Sequence, residues 1–430
     1  MADLTTVRTF FFLHMRPNRV PAVTLRYTHT FGLGGMSALL ATLLIVTGAL
    51  LMLGYEPVPE RAYASIVGLQ QETLFGPLLR GIHFWSANLL IATVLLHLLR
   101  VVFSGASEGP RRFNWVVGLG LLLGVLAANF TGYLLPWDQL SYWAVTICTG
   151  MMGYVPGIGA WLQNAVRGGQ DVGASTLIIF YTLHTTMVPV FLVVAMGYHF
   201  WRVRKARGVV RPLGLGEPPP PETVYGRGWP DLIVREAAVG AVLVAVVVAL
   251  AVFFTPALGD PANPGMSPNP AKAPWYFAGF QELQIHFHPV FAVLIMPLAA
   301  AVGLVLWPYR RRQAVGHGVW FGSAAGRRTA LFAVAAALVA TPLAVVADEK
   351  WRGTGDWLPG VPPVIGGGLL PLLLLAVLVA GFRWITTKFM KATGQDADQA
   401  VFVLLGTSFL VLTVTAVWFR GAGMALVWPW

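Results

Sequence analysis

Charged residues are scarce in this chain, and cysteine is almost absent. Only 11% of its 430 residues are charged, whereas 56% are hydrophobic; a soluble domain usually carries about 25% charged residues. So much apolar surface cannot be buried in one aqueous core, and a lipid bilayer must be part of the solvent. The single cysteine, Cys148, excludes a disulfide framework, a zinc ribbon and a cysteine-ligated iron–sulfur cluster within the chain.

Acidic residues are also few, with 18 Asp and Glu against 29 Lys and Arg and a net charge of +11. Such a balance is compatible with nucleic-acid binding. The basic residues, however, lie in short segments between apolar runs, as Arg204, Lys205 and Arg207 do. Membrane orientation explains that placement better, so we predict contact with membrane lipids and no nucleic-acid partner.

Nine apolar runs are long enough to cross a bilayer, which takes roughly 20 residues. They lie at about 31–53, 76–103, 115–135, 175–201, 232–254, 289–307, 329–347, 364–382 and 400–419. Lys and Arg are concentrated before the first run and after each even-numbered run, which places the N-terminus on the inner side of the membrane. The sequence therefore predicts an all-α integral membrane fold with nine transmembrane helices.

One break in composition divides the chain. Residues 212–230, PLGLGEPPPPETVYGRGWP, are rich in proline and glycine and predict a linker on the inner face. We therefore expect a four-helix module at 1–211 and a second helical half at 231–430. No internal repeat relates the two.

Four histidines lie inside two of the predicted spans. His83 and His97 are 14 residues apart in the second span, and His184 and His199 are 15 apart in the fourth. At about 1.5 Å and 100° per residue, each step covers about 21–22 Å and returns to within about 60° of the same helix face. Since both spans run from the outer to the inner side, His83 pairs with His184 near the outer side and His97 with His199 near the inner side.

The histidine pairs indicate two haems. A membrane histidine is costly without a partner, and a packing hydrogen bond or a proton relay would each supply one. Tetrahedral zinc needs its ligands clustered, which the separation along each helix does not allow. Two imidazoles facing each other across a bundle fit the axial positions of a haem iron that transfers electrons. The first module is therefore predicted to be a dihaem four-helix bundle.

Glycines repeat the histidine spacing on the flanking spans. The two pairs, each 14 residues apart, are Gly34 with Gly48 in the first span and Gly118 with Gly132 in the third. Glycine lets a flat macrocycle approach a helix backbone, although pairs at any spacing are common among 47 glycines. Arg80 and Arg100, one turn from His83 and His97, would neutralise haem propionates; Arg100 would equally serve as an interfacial anchor.

Four stretches form recognisable motifs: GPLLRGIHFWSANLLIATVLLHLLRV, TGYLLPWDQLSYWAVT, GASTLIIFYTLHTTMVPVFLVVAMGYHF and NPAKAPWYF. They resemble, in order, the cytochrome b of the Rieske/cytochrome b (cytochrome bc) family of quinol–cytochrome c reductases. The 15-residue histidine step and the PWDQ and VRGG segments are most similar to the chloroplast and cyanobacterial type. There, cytochrome b and subunit IV are separate chains, whereas here they are fused near the proline-rich linker.

The resemblance implies a proton-translocating Q-cycle in an energy-transducing membrane, such as the bacterial cytoplasmic membrane. Quinol is oxidised at an outer site, and one electron passes to a Rieske iron–sulfur protein and on to a c-type cytochrome or equivalent acceptor. The other electron passes through two non-covalent b-type haems to a quinone at an inner site. The resemblance also implies a homodimeric complex.

Quinone-site residues follow from the same resemblance. The outer site would be lined by Gly132, Tyr133, Tyr142 and Trp143 on one side and by Ala273–Pro274–Trp275–Tyr276 on the other. The latter loop is otherwise an interfacial anchor with its rings at the headgroups. On the inner face, Arg26, Lys205 and Asp231 either bind a quinone and its protons or are solvated loop charges.

Two departures from the family pattern affect chemistry. The chloroplast type joins an extra haem to a cysteine just before a Leu-Gly-Gly, where this chain has Gly32. Because Cys148 lies near the outer side instead, we expect no covalent haem. The Pro-Glu-Trp-Tyr motif reads Ala-Pro-Trp-Tyr, so that Pro274 replaces a glutamate that accepts a quinol proton.

Glu282 is the nearest downstream carboxylate and, with Tyr276, our candidate catalytic residue. Partial burial is expected to raise the pKa of Glu282 into a range useful for a base. His286 and His288 are competing proton acceptors, and Glu282 is otherwise an ordinary surface residue.

Two other functions stay open. A dihaem anchor of a dehydrogenase or hydrogenase would reduce quinone without a Rieske partner. A transporter would use the histidines as a proton relay. The ninth span exceeds the usual eight of the family, and the sequence assigns it no function.

Overall fold

The structure is a computed structural model that describes residues 19–212, 224–310, 318–352 and 360–428. Within these ranges nine helices are long and apolar enough to cross a membrane. They are α1 (Leu33–Leu51), α3 (Gly76–Phe103), α4 (Gly109–Tyr133), α7 (Ala174–Lys205), α8 (Pro230–Phe253), α10 (Phe291–Tyr309), α11 (Ala324–Lys350), α12 (Ile365–Lys388) and α13 (Gly394–Trp418). Each overlaps one predicted span, which confirms the prediction of a helical integral membrane protein.

Four shorter α-helices lie between the spans in the described part of the chain. They are α2 (Pro59–Gln71), α5 (Gln139–Gly150), α6 (Gly159–Arg167) and α9 (Trp275–His286). Local sequence sets their ends: the Asp138 carboxylate accepts from the Ser141 N–H at 2.9 Å and caps α5. Gly168, at φ 70°, ends α6 in the left-handed conformation. Pro274 directly precedes α9, where a missing N–H costs nothing.

The first of two compact units holds the helices that carry the histidines. It comprises the described residues of Met1–Pro136, Leu177–Leu258 and Trp307–Gly322. Within it α3 packs against α1 and α8, and α4 packs against α7. A Cβ on Gly81 of α3 would lie 2.9 Å from the Cβ of Ala251 on α8. Small residues thus let these helices approach closely, as is common in membrane bundles.

The second unit is organised around the ninth span. It comprises the described residues of Trp137–Thr176, Gly259–Leu306 and Ser323–Trp430. In it α13 packs against α9, α11 and α12. A capping box of Thr393 and Asp396 starts α13. Where α9 crosses α13, a Cβ on Gly279 would lie 2.6 Å from Thr413 Oγ1 and 2.8 Å from Phe409 Cζ.

Two three-residue strands are the exception to the all-α prediction. In the first unit β1 (Arg19–Pro21) pairs antiparallel with β2 (Tyr225–Arg227). β2 belongs to the predicted linker 212–230, most of which, 213–223, lies outside the described residues. The compact units do not divide at this linker, because α8 follows it yet packs on α1 and α3. The functional division into 1–211 and 231–430 stays a prediction.

Candidate haem and quinone sites

Helices α3 and α7 bring the four predicted histidines together as two facing pairs. The ring centroids of His83 and His184 are 6.2 Å apart, with 71° between the ring planes. Those of His97 and His199 are 6.5 Å apart, at 75°. These are the two pairs that the sequence spacing predicts.

A π-helical turn explains why the step in α7 is one residue longer. Leu183–Met187, which contains His184, is a π turn inside an otherwise α-helical span. Such a turn adds one residue to a regular helix and is frequent at functional sites. The 15-residue step from His184 to His199 is thereby brought into register with the 14-residue step in α3.

Hydrogen bonds fix the two rings of the His83–His184 pair. His184 Nδ1 lies 2.9 Å from the Ala128 carbonyl oxygen; a carbonyl only accepts, so Nδ1 carries the proton and Nε2 keeps its lone pair. His83 Nδ1 lies 2.9 Å from Thr47 Oγ1. That hydroxyl donates to the Leu43 carbonyl at 2.7 Å, which leaves its oxygen to accept from Nδ1. Both rings therefore offer an unprotonated Nε2 to a metal.

Each predicted glycine faces one of the histidines. A Cβ would lie close to an imidazole Cε1 at every position: 3.4 Å for Gly34 and His97, 3.2 Å for Gly48 and His83, and 3.5 Å for Gly118 and His199, with overlap for Gly132 and His184. At Gly35, beside Gly34 in the same helix, a Cβ would meet nothing within 4 Å. The glycines with the histidine spacing are thus the ones that seat the rings.

The separation within each pair fits a metal held between the rings. Two imidazole–metal bonds of about 2.0 Å, with about 1.1 Å from each nitrogen to its ring centre, place the centroids about 6.2 Å apart. Among the described residues no group of three or more His, Cys, Asp and Glu could hold a metal ion. Two facing imidazoles per site, flanked by glycine, would suit a bis-histidine haem.

The two predicted propionate partners have different surroundings. Arg100 is 4% exposed, and its Nε donates to the His29 carbonyl oxygen at 3.3 Å. Arg80 donates to the carbonyl oxygens of Pro256 and Ala257, at 2.7 and 3.3 Å. Arg100 lies on the wall of the cavity described next, whereas these bonds of Arg80 fasten α3 to the segment that follows α8.

A cavity of 2410 Å³ in the first unit contains the His97–His199 pair. It is larger than the roughly 300–1,000 Å³ of a usual ligand pocket. The charged residues on its wall are mostly basic and include Arg19, Arg26, Arg100, Arg111, Arg204, Arg207, Arg211 and Arg235; among the described residues that line it, Glu236 is the one acid. Ser107 Oγ and Asn114 Oδ1 are buried at this wall without a hydrogen-bond partner. Sequence reasoning missed both residues, because nothing in their spacing singles them out.

Of the three residues predicted for the inner quinone site, only Arg26 lines this cavity. Lys205 Nζ instead lies 5.0 Å from the centre of the Trp201 ring. The Asp231 carboxylate accepts from the Arg227 N–H at 2.7 Å, which fastens β2 to the start of α8. The prediction placed all three on one site because they share a side of the membrane, which does not fix where their side chains lie.

The predicted outer-site residues are divided between the units. Gly132 and Tyr133 belong to the first, whereas Tyr142, Trp143 and 274–276 belong to the second. Tyr142 is buried, and its ring meets that of Trp143 edge to face at 5.8 Å. Trp143 Nε1 donates to the Asn263 carbonyl oxygen at 3.1 Å. The Trp275 and Tyr276 rings meet edge to face at 5.6 Å directly after Pro274.

Glu282 is neither a surface residue nor a carboxylate of raised pKa, so both of those expectations are wrong. Its side chain is 0% exposed and pairs with the buried Arg420 at 2.6 Å. Burial by itself raises the pKa of Glu282, but hydrogen bonds from His286 and Arg420 outweigh it and leave the pKa below its usual range. Arg420, which follows the last span, was missed because no local pattern links it to Glu282.

The two competing histidines also differ. His286 lies between two carboxylates, with Nε2 3.2 Å from Glu282 and Nδ1 2.6 Å from Asp348. Burial lowers the pKa of His286, but the hydrogen bonds to Asp348 and Glu282 raise it by more, so that it lies above the usual value. The backbone N–H of His288 donates to the Gly367 carbonyl oxygen at 2.7 Å.

Comparisons with known proteins point to one family. Residues 20–207 match the family model for cytochrome b/b6/petB. The chain is 40% identical over 194 residues to the cytochrome b6 of Heliobacterium mobile, covering 45% of this chain and 90% of that protein. A solved chain described as hyperthermophilic respiratory Complex III shares the fold, with a TM-score of 0.62 and 23% identity over 90% of this chain and 91% of that one. The cytochrome bc complex cytochrome b subunit of Chlorobaculum thiosulfatiphilum is 33% identical over 307 residues, 70% of each chain. This chain is therefore an integral membrane protein of the cytochrome b family, the cytochrome b subunit of a bc-type complex.

Proposed function

We propose that this subunit oxidises quinol in a proton-translocating Q-cycle with two non-covalent b-type haems. The observation that carries the proposal is the pair of facing imidazole pairs, 6.2 and 6.5 Å between ring centres, each seated on glycines. A single pair would leave an electron without a route across the membrane. Two pairs separated by 14 residues of α3, about 21 Å, span most of the hydrocarbon core.

The chain's own residues would hold and orient the haems. His83 with His184 and His97 with His199 supply Nε2 lone pairs on opposite sides of each site. The hydrogen bonds that His83 and His184 donate to Thr47 Oγ1 and to the Ala128 carbonyl oxygen keep the first pair in its tautomer. When bound, each haem takes up and passes on one electron. The cavity around His97 and His199 has a basic wall, on which Arg100 would neutralise propionates.

Quinol oxidation yields quinone, two electrons and two protons. We assign it to an outer site with Gly132, Tyr133, Tyr142, Trp143 and the segment Ala273–Tyr276. Quinone reduction is assigned to the inner cavity, whose 2410 Å³ is large enough for a quinone beside a haem. Arg26 on its wall is a candidate contact for that quinone; Lys205 and Asp231 are weaker candidates, since their side chains are held elsewhere.

Partners and orientation belong to the same proposal. A Rieske iron–sulfur protein would take the first electron, and a c-type cytochrome or equivalent acceptor would follow it in a homodimeric complex. The proposal includes a bacterial cytoplasmic membrane with the N-terminus on its inner side, an orientation that the Lys and Arg clusters support. A dihaem anchor of a dehydrogenase would carry the same histidines but would not copurify with a Rieske protein.

The test is the haem content of the purified complex when one pair is broken. His97→Leu removes one ligand of the inner pair, and we expect haem per chain to fall from two to one, with the outer haem's reduced-minus-oxidised spectrum unchanged. His288→Leu, in the second unit, is the matched control and should keep both haems. Two haems in the His97 variant would overturn the ligand assignment. A colourless wild-type protein would point to a transporter.

A further inference from the structure

Five charged side chains form a partly buried cluster in the second unit, called here the Glu282 network. Its members are Glu282 and His286 on α9, Asp348 and Glu349 in the last turn of α11, and Arg420 just after α13. Arg420 donates to both carboxylate oxygens of Glu282, with N–O distances between 2.6 and 3.1 Å. It also donates to Glu349 at 2.9 Å. His286 bridges Glu282 and Asp348, so the network joins three segments of the chain.

The centre of the network is closed to solvent. The side chains of Glu282 and Arg420 are both 0% exposed, whereas Glu349 at the edge is 34% exposed. Removing one partner of a buried pair leaves an uncompensated charge, which is costly, while neutralising both partners costs far less. Glu282 and Arg420 therefore depend on each other in a way that a double substitution can reveal.

The segment after α13 is also fastened to the chain that precedes Pro274. Lys272 Nζ donates to the Val417 carbonyl at 2.9 Å. The Gly423 N–H donates to Asn269 Oδ1. On the other side, the Gln281 side chain of α9 accepts from the Ala273 N–H at 2.8 Å and donates to the Ala271 carbonyl at 2.6 Å. The segment 269–273 is thus held between α9 and the end of α13.

We propose that Arg420 is a positioning residue for quinol oxidation, locking α9 through Glu282 so that the adjoining Ala273–Tyr276 segment keeps its place. This gives the ninth span a function: it carries the cation that closes the network. The inference rests on the proposed function of Ala273–Tyr276, since only then does the lock affect quinol. Glu282 then acts through its ion pair and does not take the quinol proton, because a carboxylate held by a bidentate guanidinium is a poor base.

The lock is expected to weaken at alkaline pH. His286 faces Glu282 from its own helix and Asp348 from α11, with Arg420 behind Glu282 and Glu349 beyond Arg420. The carboxylates raise the pKa of His286 above its usual value of 6.5. The stabilisation that protonated His286 gives the network is therefore fully present below about pH 6.5 and is lost as the pH rises through the raised pKa. Once neutral, the ring has one N–H and donates to only one of the two carboxylates.

The experiment compares three variants of the full complex: Arg420→Gln, Glu282→Gln and the double variant. We expect the KM for quinol to rise about tenfold in each single variant and to return to within about threefold of wild type in the double variant, because no unpaired charge is then buried. Arg383→Gln is the control, since Arg383 pairs with Asp398 at 2.8 Å but is half exposed, and it should leave KM unchanged. His286→Asn should flatten the alkaline limb of the pH profile.

The rate of hydrogen–deuterium exchange at residues 269–286 measures how firmly this segment is held, and it does not depend on turnover. Faster exchange there in Arg420→Gln, with haem content intact, supports the proposal; exchange and KM like wild type overturn it. If the double variant oxidises quinol as slowly as Glu282→Gln does, the proposal is overturned as well. Glu282 would then be the group that accepts the quinol proton. If Arg420→Gln assembles without haem, Arg420→Lys replaces it in the test. This variant keeps the charge but not the bidentate bond, and its exchange and its KM for quinol are judged in the same way. A wild-type complex that oxidises no quinol refutes the proposed function and leaves exchange to decide the lock.

Discussion

Replacing Gly132 with alanine should break the outer haem site without touching a histidine. The Cβ of such an alanine would overlap the His184 ring, which lies directly against this glycine. His184 has little freedom to retreat, because its Nδ1 is held 2.9 Å from the Ala128 carbonyl. Forcing one extra carbon into a packed site costs about 1–3 kcal/mol. At about 1.4 kcal/mol per tenfold, haem affinity at this site should fall by a factor of about 5–150.

The other three glycines give a graded series with a control beside it. A Cβ would be 3.2 Å from the ring at Gly48 but 3.4 Å at Gly34 and 3.5 Å at Gly118, so the damage should fall in that order. Gly197→Ala, on α7 but not on the wall of the 2410 Å³ cavity, meets nothing within 4 Å and should only gain the roughly 1 kcal/mol by which alanine favours a helix. Haem per chain and the midpoint potential of each haem are the measurements. A Gly132→Ala protein with two haems and wild-type potentials would refute the reasoning.

Two further predictions use other parts of the chain. The first is that no haem is covalently attached to this chain. Cys148 lies in α5, where burial raises the pKa of its thiol to about 11 and keeps it unreactive. Denatured protein should therefore show no haem stain at 46.5 kDa, and a stained band that survives acid–acetone extraction would contradict this. The second is that Gly279→Val should lower the free energy of unfolding of the second unit by about 1–3 kcal/mol, since the valine side chain would collide with Phe409 and Thr413. Gly406→Val is the control, because a Cβ at Gly406 meets nothing within 4 Å. Equal melting temperatures of the two variants would count against the predicted collision.

The spans and histidine pairs could be predicted because both follow from short-range rules. A run of apolar residues identifies a span, and a fixed rise per residue places His83 and His97 on one face of a helix. The extra residue in α7 did not spoil the prediction, because the π turn at Leu183–Met187 absorbs it. Gly34 and Gly48 share the spacing of the rings they face, and their assignment to haem contact stays a prediction.

The surroundings of single charges could not be predicted. Glu282 has an environment set by Arg420, which is 138 positions away, and no pattern near Glu282 announces a buried cation. Lys205 and Asp231 were assigned by membrane side alone, yet local contacts with Trp201 and Arg227 hold them. Side of the membrane is a property of a whole loop, whereas a binding site depends on where each side chain points.

The distance between Glu282 and Arg420 along the chain has a consequence for synthesis. The two residues are 138 positions apart, and a ribosome adds about 5–20 residues per second. The guanidinium of Arg420 is therefore made about 7–28 s after Glu282. During that interval the Glu282 carboxylate lacks the guanidinium that binds both of its oxygens, and a chain that stops before the ninth span never supplies it. Completion of the network thus marks a chain that has been synthesised and inserted as far as its ninth span.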